Sequence, residues 1–84
     1  MERYLIESNH TAADCHHVVE QFIIHGHIIN FDWGCQAGEH TAWAVIEAEN
    51  ESQALLSVPP SLRSKARAIR LNKFSPQSIE DFHK

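Results

Sequence analysis

The stretch HIINFDWGCQAGEHTAWAVIEAE, residues 27–49, decides the fold that the sequence predicts. Its first part, residues 27–35, is rich in β-branched and aromatic residues that alternate along the chain, and its last part, residues 40–49, alternates in the same way. Between them lie Gly34 and Gly38 with polar neighbours, a composition that is typical of a hairpin connection. We therefore predict two antiparallel neighbouring strands, the second with apolar side chains on both faces.

The residues before this hairpin predict a strand and a helix. Residues 4–6 are a short apolar run that ends at turn-forming residues, which indicates the first strand. Thr11 and Asp14 have the spacing of a capping box, and Gly26 is a typical C-cap, so a helix should lie between them. The apolar side chains of this segment repeat at helical spacing and form one stripe: Cys15, Val18, Val19, Phe22 and Ile23. On this pattern we assign Cys15 to the hydrophobic core.

The residues after the hairpin predict a broken helix and a last strand. Asn50 or Ser52 can cap the helix, and the proline pair at residues 59–60 interrupts it. We expect one and a half turns, a break and a second short turn. Residues 67–74 alternate and predict the fourth strand. A short C-terminal turn should carry two further apolar residues, Ile79 and Phe82.

The predicted order is strand, helix, strand, strand, helix, strand, which matches the split βαβ arrangement of ferredoxin-like domains. We predict one α+β domain over residues 1–84, a ferredoxin-like βαββαβ sandwich with two helices on one face of a four-stranded antiparallel sheet. Apolar residues on the strands exceed what one helical layer can cover: Tyr4, Ile6, Trp43 and Val45. We therefore expect a homodimer that closes the bare sheet face.

The charge is unevenly distributed along the chain, whose formal net charge is −4. Residues 1–62 have a net charge of −8, and residues 63–84 have a net charge of +4. One interpretation is that the two parts neutralise each other. The alternative is a basic strip that binds phosphates or acidic partners, formed by Arg63, Lys65, Arg67, Arg70 and Lys73. A negative total without aromatic residues among these bases argues against nucleic acid as a partner.

The sequence shows no segment with the pattern of a signal peptide or a membrane span. We therefore expect a cytoplasmic protein without membrane contact. In that compartment the two cysteines, Cys15 and Cys35, should be free thiols. The adjacent Cys15, His16 and His17 diverge by about 100° per helical position, so we do not expect them to share a metal ion.

Histidine is unusually frequent, with seven residues in the chain. Imidazole is the commonest metal-binding side chain and also suits acid and base chemistry. Cys35 and His40 flank the hairpin loop and should lie opposite each other. A third ligand could come from His10, at the end of the first strand, or from a second subunit. A thiolate with imidazoles suits zinc, copper or nickel, so we predict a transition-metal site at His10, Cys35 and His40.

A second hypothesis for the same hairpin is a small-molecule pocket. Trp33 and Trp43 would line it, Asp32 or His40 would accept and donate a proton, and Cys35 is a candidate nucleophile. The simpler interpretation is that the turn needs its glycines and the sheet needs its aromatic residues.

These patterns favour a homodimeric binding protein, with a metal or small-molecule site near the hairpin at residues 35–40 and the intersubunit sheet face. One alternative is a small cofactor-independent isomerase or monooxygenase-like enzyme that uses Asp32 and His40. The other is a non-catalytic interaction module that acts through the basic strip.

Four segments carry a resemblance to a known group: RYLIE at residues 3–7, FDWGC at 31–35, GEHTAW at 38–43 and VIEA at 45–48. Together they resemble small bacterial proteins of the dimeric α/β-barrel group, whose relatives include nickel-binding and muconolactone-isomerase-like proteins. By element order the resemblance covers nearly the whole chain. It implies a ferredoxin-like fold paired through its sheets, with metal or small-molecule binding between subunits. It assigns no site residue, because no ligand set of that group matches this sequence position by position.

Overall fold

A computed structural model describes residues 1–77 of the chain and shows an α+β arrangement. Four antiparallel strands form one sheet in the order β2-β3-β1-β4. The elements are β1 (Glu2–Asn9), α1 (Cys15–Ile24), β2 (Asp32–Trp33), β3 (Thr41–Ala48), α2 (Glu51–Ala54) and β4 (Ala66–Leu71). The predicted α+β class with a four-stranded antiparallel sheet is confirmed, and the arrangement is compatible with a ferredoxin-like fold.

The core lies between the helices and one face of the sheet. Ile6 is fully buried in β1, where it pairs with Ala44 of β3 and Ala68 of β4. Because alanine is small, β3 and β4 leave room on this face for larger side chains from the helical layer. Phe22 of α1 and Val58 after α2 are fully buried in this space. Burial of each such side chain contributes about 1.5–3 kcal/mol.

The opposite face of the sheet carries a second apolar surface, which none of the described helices covers. Leu5 of β1 pairs on this face with Val45 of β3 and Ile69 of β4. These three residues form an apolar strip across three strands, and Val45 is 56% exposed. We call this surface the bare face.

The apolar surplus predicted on the strands is divided between the two faces. Trp43 and Val45 lie on the bare face. Tyr4 and Ile6 face the helices and are buried in the core. The strand alternation that sends these two residues inward sends Leu5 outward.

The prediction of one extended strand over residues 27–35 is wrong. The structure has a 3₁₀ turn (Ile28–Asn30), the two-residue strand β2, and a second 3₁₀ turn (Cys35–Ala37). Ile29, which a continuous strand would place on the same face as Phe31, is 88% exposed, whereas Phe31 is buried. The alternating run at residues 27–35 therefore forms a strand only at Asp32–Trp33, because a 3₁₀ turn lies on each side of that strand.

Helix α1 ends at the predicted glycine. Gly26 has a left-handed φ of 75°, the N–H of Gly26 donates to the carbonyl of Ile23 (3.1 Å), and the N–H of His27 donates to the carbonyl of Phe22 (2.9 Å). These two bonds are the Schellman motif. Val18 and Phe22 of the predicted stripe are buried, whereas Ile23 is 56% exposed at its edge.

The second helical segment has the predicted break. Asn50 caps α2, and its Oδ1 accepts a hydrogen bond from the N–H of Gln53 (2.9 Å). A 3₁₀ turn (Leu55–Ser57) follows, the chain is extended at Val58, and a second 3₁₀ helix (Pro60–Lys65) leads into β4. The proline pair therefore interrupts the helical segment, because proline has no backbone N–H to donate to a helical hydrogen bond.

The last part of the chain is described only to residue 77. Strand β4 begins one residue earlier than predicted and ends at Leu71. The predicted C-terminal turn with Ile79 and Phe82 lies outside the described residues. None of the helices in the described part of the chain is long and apolar enough to cross a membrane.

Candidate metal centre

Four side chains with metal-binding atoms meet at one end of the sheet. They are His10, Cys15, Cys35 and His40, all half-buried, and their ligand atoms all lie within 4.8 Å of one another. We call this set the Cys/His cluster. In a tetrahedral zinc site the ligand atoms lie about 2.0–2.3 Å from the ion and therefore about 3.3–3.8 Å from one another. Small side-chain movements would bring the cluster to that geometry.

The two histidines are placed by the β1–β3 ladder. The last pair of the register joins Asn9 to Thr41, so His10 and His40 are the next opposed residues. The N–H of His10 donates to the carbonyl of His40 (3.1 Å), which extends the ladder by one bond. Their rings lie edge to face with centroids 5.6 Å apart. The pairing of β1 with β3 therefore fixes two of the four ligands.

The β2–β3 connection places Cys35. A Cβ added at Gly34 would lie 2.7 Å from the carbonyl oxygen of Glu39 and 2.9 Å from the ring of Trp43, so only glycine fits there. Gly38 has a left-handed φ of 87°, which is also suited to glycine. The two glycines hold the turn tightly enough for Cys35 to face back toward the end of the sheet.

The β1–α1 connection places Cys15. The N–H of Asp14 donates to Oγ1 of Thr11 (3.2 Å), and the Thr11 hydroxyl donates to Oδ2 of Asp14 (3.0 Å). The predicted capping interaction thus forms in the turn before the helix, and α1 begins at Cys15. Cys15 is half-buried, belongs to the Cys/His cluster and lies outside the hydrophobic core, so its assignment to the core is wrong.

The surroundings of the cluster favour neutral imidazole at His10 and a protonated thiol at Cys35. Burial lowers the pKa of His10 below its ordinary value, and the nearby His40 lowers it further. Burial raises the pKa of the Cys35 thiol, and the adjacent Cys15 raises it further. Sγ of Cys35 lies 3.3 Å from Nε2 of His10. A metal ion at this place would meet a ready imidazole lone pair and would have to displace the thiol proton.

Unpaired nitrogen atoms surround the same place. Among the described residues, three buried side-chain nitrogens have no hydrogen-bond partner: Nδ1 of His10, Nε1 of Trp33 and Nδ1 of His40. A buried polar atom without a partner costs about 1–3 kcal/mol. Two of these three atoms belong to the Cys/His cluster, so the Nδ1 atoms of its two histidines are buried without a partner.

The structure therefore brings together His10, Cys35 and His40, the three residues predicted as metal ligands, and adds Cys15. The spacing of the four carried a signal for this. His10 precedes Cys15 by five positions, and Cys35 precedes His40 by five positions, which gives the mirrored pattern His-x4-Cys and Cys-x4-His. Each half of that pattern is one loop at the same end of the sheet.

The residues predicted to line a small-molecule pocket do not all come together. Trp33 pairs with Ala42 and faces the helices, where its ring centroid lies 4.9 Å from that of Phe22. Asp32 pairs with Trp43 on the bare face and is exposed. The two indoles lie on opposite faces of the sheet, so they do not line one pocket within the monomer.

Two cavities adjoin the cluster. One has a volume of ≈ 370 Å³ and is lined by Val19, Ile28, Trp33, Cys35 and Gln36. The other has a volume of ≈ 160 Å³, and His10, Asp14 and His17 contribute to its wall. Asp32 and His40, the proposed acid and base, line neither of these cavities. Small solutes can therefore approach the cluster at Cys35 and at His10.

Three of the five residues in the predicted basic strip form contacts within the fold. Arg67 forms an ion pair with Glu7 (3.1 Å) on the bare face, and Arg70 forms one with Glu2 (3.3 Å). Nε of Arg63 donates to two backbone carbonyls at the end of the α2 segment. This arrangement supports the interpretation that the two parts of the chain neutralise each other, rather than a basic strip for partners.

Comparison of the chain with protein-family models, with curated proteins and with solved structures gives no match. The chemistry of the Cys/His cluster is therefore the main indication of function.

Proposed function

We propose that this chain is a transition-metal-binding protein that holds one zinc-type ion with His10, Cys15, Cys35 and His40. The observation that supports this most strongly is the convergence of four ligand atoms within 4.8 Å of one another. The residues come from two loops that are far apart in sequence, so their meeting is not a by-product of local helix or strand spacing. The unpaired nitrogens of the two histidines are a second, independent observation.

The ligand types favour zinc over the other metals that the sequence suggests. Two thiolates and two imidazoles in a tetrahedral set are typical of zinc, whereas divalent nickel and copper prefer planar or tetragonal nitrogen and oxygen sets. Four protein ligands also complete the coordination sphere. A catalytic zinc keeps a position for water or substrate. The complete set therefore favours metal binding over the isomerase or monooxygenase alternative.

The ion would also join the two loops that carry its ligands. An 84-residue chain buries only about 60–65% of its unfolded surface. Small domains of this size often gain stability from a structural metal. An ion shared by the β1–α1 and β2–β3 connections would tie the start of α1 to the hairpin.

A cobalt titration tests this proposal. Cobalt(II) added to reduced, metal-free protein should saturate at one ion per chain, with the visible absorption of tetrahedral cobalt and a thiolate charge-transfer band. Zinc should then displace the cobalt. The His40→Ala variant should lose the tetrahedral spectrum, and the control variant His25→Ala, altered at an exposed histidine, should keep it. Octahedral spectra in the wild-type protein, or identical spectra in both variants, would contradict the proposal.

We also propose that the chain forms a homodimer of the dimeric α/β-barrel type through the bare face. The apolar strip of Leu5, Val45 and Ile69 supports this, because it crosses three strands without a covering helix. The ion pair between Arg67 and Glu7 lies beside that strip. A surface with apolar residues and both charge signs can match itself across a two-fold axis.

A further inference from the structure

We infer that Cys15 and Cys35 form a reversible disulfide that expels the bound ion, so that metal binding by this chain is controlled by oxidation. The inference rests on the proposed metal site and adds a modification to it. Both cysteines are free in the structure.

The geometry of the cluster brings the two sulfur atoms together. The Sγ atoms of Cys15 and Cys35 lie within 4.8 Å of each other. A disulfide requires a sulfur–sulfur distance of about 2.05 Å. Rotation of the two cysteine side chains toward each other can bring the sulfur atoms to that distance. The chain has only two cysteines, so each has one intramolecular partner.

One of the two thiols is accessible to a small oxidant. Cys35 is half-buried and forms part of the wall of the cavity of ≈ 370 Å³. A peroxide molecule is small compared with that cavity. Cys15, which begins α1, is also half-buried, but it does not line this cavity. Cys35 is therefore the residue that a peroxide would attack first, with Cys15 as the resolving thiol.

The oxidation balances with hydrogen peroxide as the oxidant. The Cys35 thiolate attacks one peroxide oxygen, the O–O bond breaks, and a sulfenic acid and hydroxide form. The Cys15 thiolate then attacks the sulfur of Cys35, the S–S bond forms, and the S–O bond breaks with loss of a second hydroxide. Two protons convert the hydroxides to water. The two sulfurs lose two electrons, and the peroxide gains them.

Disulfide formation removes both sulfur ligands in one event. Only His10 and His40 remain, and two imidazoles do not complete a tetrahedral zinc site. The ion should therefore leave when the bond forms and bind again after reduction.

The experiment uses zinc-loaded wild-type protein treated with hydrogen peroxide in the presence of a chromogenic zinc chelator. We expect release of one zinc ion per chain, together with an intact mass lower by two hydrogens in the monomeric chain. A dithiol reductant should restore both the original mass and zinc binding. Metal-free Cys15→Ser protein is the mass control: it cannot form the bond, so its Cys35 should gain oxygen and be trapped by a sulfenic-acid reagent.

Each result separates the two claims. Retention of zinc after peroxide treatment, or release with oxygen added to the cysteines and no intramolecular disulfide, overturns the oxidation inference and leaves the metal site standing. Absence of bound zinc before any peroxide is added overturns the proposed function and, with it, the controlled release.

Discussion

At the level of single residues, the four members of the Cys/His cluster are held by different interactions. The pairing of β1 with β3 fixes the positions of His10 and His40, and a backbone hydrogen bond of 3.1 Å joins the two residues. The turn that precedes α1 fixes the position of Cys15. A turn that requires glycine at residue 34 fixes the position of Cys35. Because these supports are independent, a change at one ligand should not displace the others.

The Cys15→Ser variant distinguishes a metal ligand from a core residue. Cys15 is half-buried and outside the core, so the free energy of unfolding of the metal-free protein should change by no more than about 0.5 kcal/mol. Zinc affinity should fall by about 100-fold or more, because one of four ligands is lost. Chemical denaturation and competition with a zinc chelator measure the two effects.

The contrasting variant is Val18→Thr, which places a hydroxyl in the core at a residue that is 3% exposed. It should destabilise the metal-free protein by about 1–3 kcal/mol and leave the zinc ligands in place. If Cys15→Ser behaves like this variant, Cys15 is a core residue after all.

Zinc affinity should rise with pH between about 6 and 8. Burial and the neighbouring Cys15 raise the pKa of Cys35, so its thiol is protonated at neutral pH in the metal-free protein. The ion must displace that proton, and a higher pH lowers the cost of doing so. The lowered pKa of His10 keeps its imidazole neutral, so His10 competes with protons only at more acidic pH.

Calorimetry in buffers of different ionisation enthalpy measures this directly, because the observed heat reports the protons released. An affinity that does not change over this pH range, with no proton release, would rule out thiolate ligation.

At the level of elements, the β2–β3 connection decides whether the cluster forms. A Cβ at residue 34 would meet the backbone of Glu39 and the ring of Trp43, and Glu39 is also bonded to Gly34 through its N–H (3.0 Å). Glu39 and Trp43 therefore have little freedom to move, so a side chain at residue 34 should disturb the turn beside Cys35.

Gly34→Ala should lower both stability and zinc affinity. We expect a loss of about 1–3 kcal/mol in the free energy of unfolding of the metal-free protein, from overpacking against Glu39 and Trp43. Gln36→Ala, at an exposed position of the same turn, is the control and should change little. Denaturant unfolding with and without zinc measures the effect. Equal stability of the two variants would show that the turn can relax around the added methyl group.

Local chemistry allowed several elements to be predicted from the sequence, and tertiary structure decided the others. Gly26 ends α1 and Asn50 caps α2 because these depend on a few neighbouring atoms. The alternation over residues 27–35 predicted a strand that is much longer than β2, because a 3₁₀ turn that follows the left-handed Gly26 removes Ile29 from the ladder. The periodicity of apolar residues indicates which side chains could share a face of a strand or helix. It does not indicate where the chain turns.

The candidate site was predictable in part for the same reason. His10, Cys35 and His40 could be placed near one another, because hairpin and strand-end positions follow from the order of the strands. Cys15 could not, since a residue in the first turn of a helix can belong either to the apolar stripe or to the preceding loop. The structure decides between the two and places Cys15 in the Cys/His cluster.

At the level of the whole molecule, the two faces of the sheet have different surroundings. Helices cover one face, and the other presents an apolar strip with ion pairs beside it. The Cys/His cluster lies at the end of the sheet, where both loops meet. Dimer formation through the bare face would therefore leave the Cys/His cluster intact within each subunit.

Val45→Asp should abolish the homodimer. Val45 is 56% exposed in the isolated chain and lies in the apolar strip, so an aspartate there would bury a charge in the interface. We expect the dissociation constant to rise by at least about 100-fold, which corresponds to about 2.7 kcal/mol. Ile24→Asp, at a residue of α1 that is 69% exposed, is the matched control.

Analytical ultracentrifugation of the two variants and the wild-type protein measures this. The wild-type protein and Ile24→Asp should sediment as dimers, and Val45→Asp should sediment as a monomer. A wild-type chain that is monomeric at high concentration would remove the dimer from the account without affecting the metal site.

X-ray absorption at the zinc edge tests the metal centre most directly, because it counts the ligand atoms around the ion. In wild-type protein with one zinc per chain, the account predicts two sulfur neighbours at about 2.3 Å and two nitrogen neighbours at about 2.0–2.1 Å. A first shell made only of nitrogen and oxygen, or one that is unchanged when Cys15 and Cys35 are both replaced by serine, would contradict it.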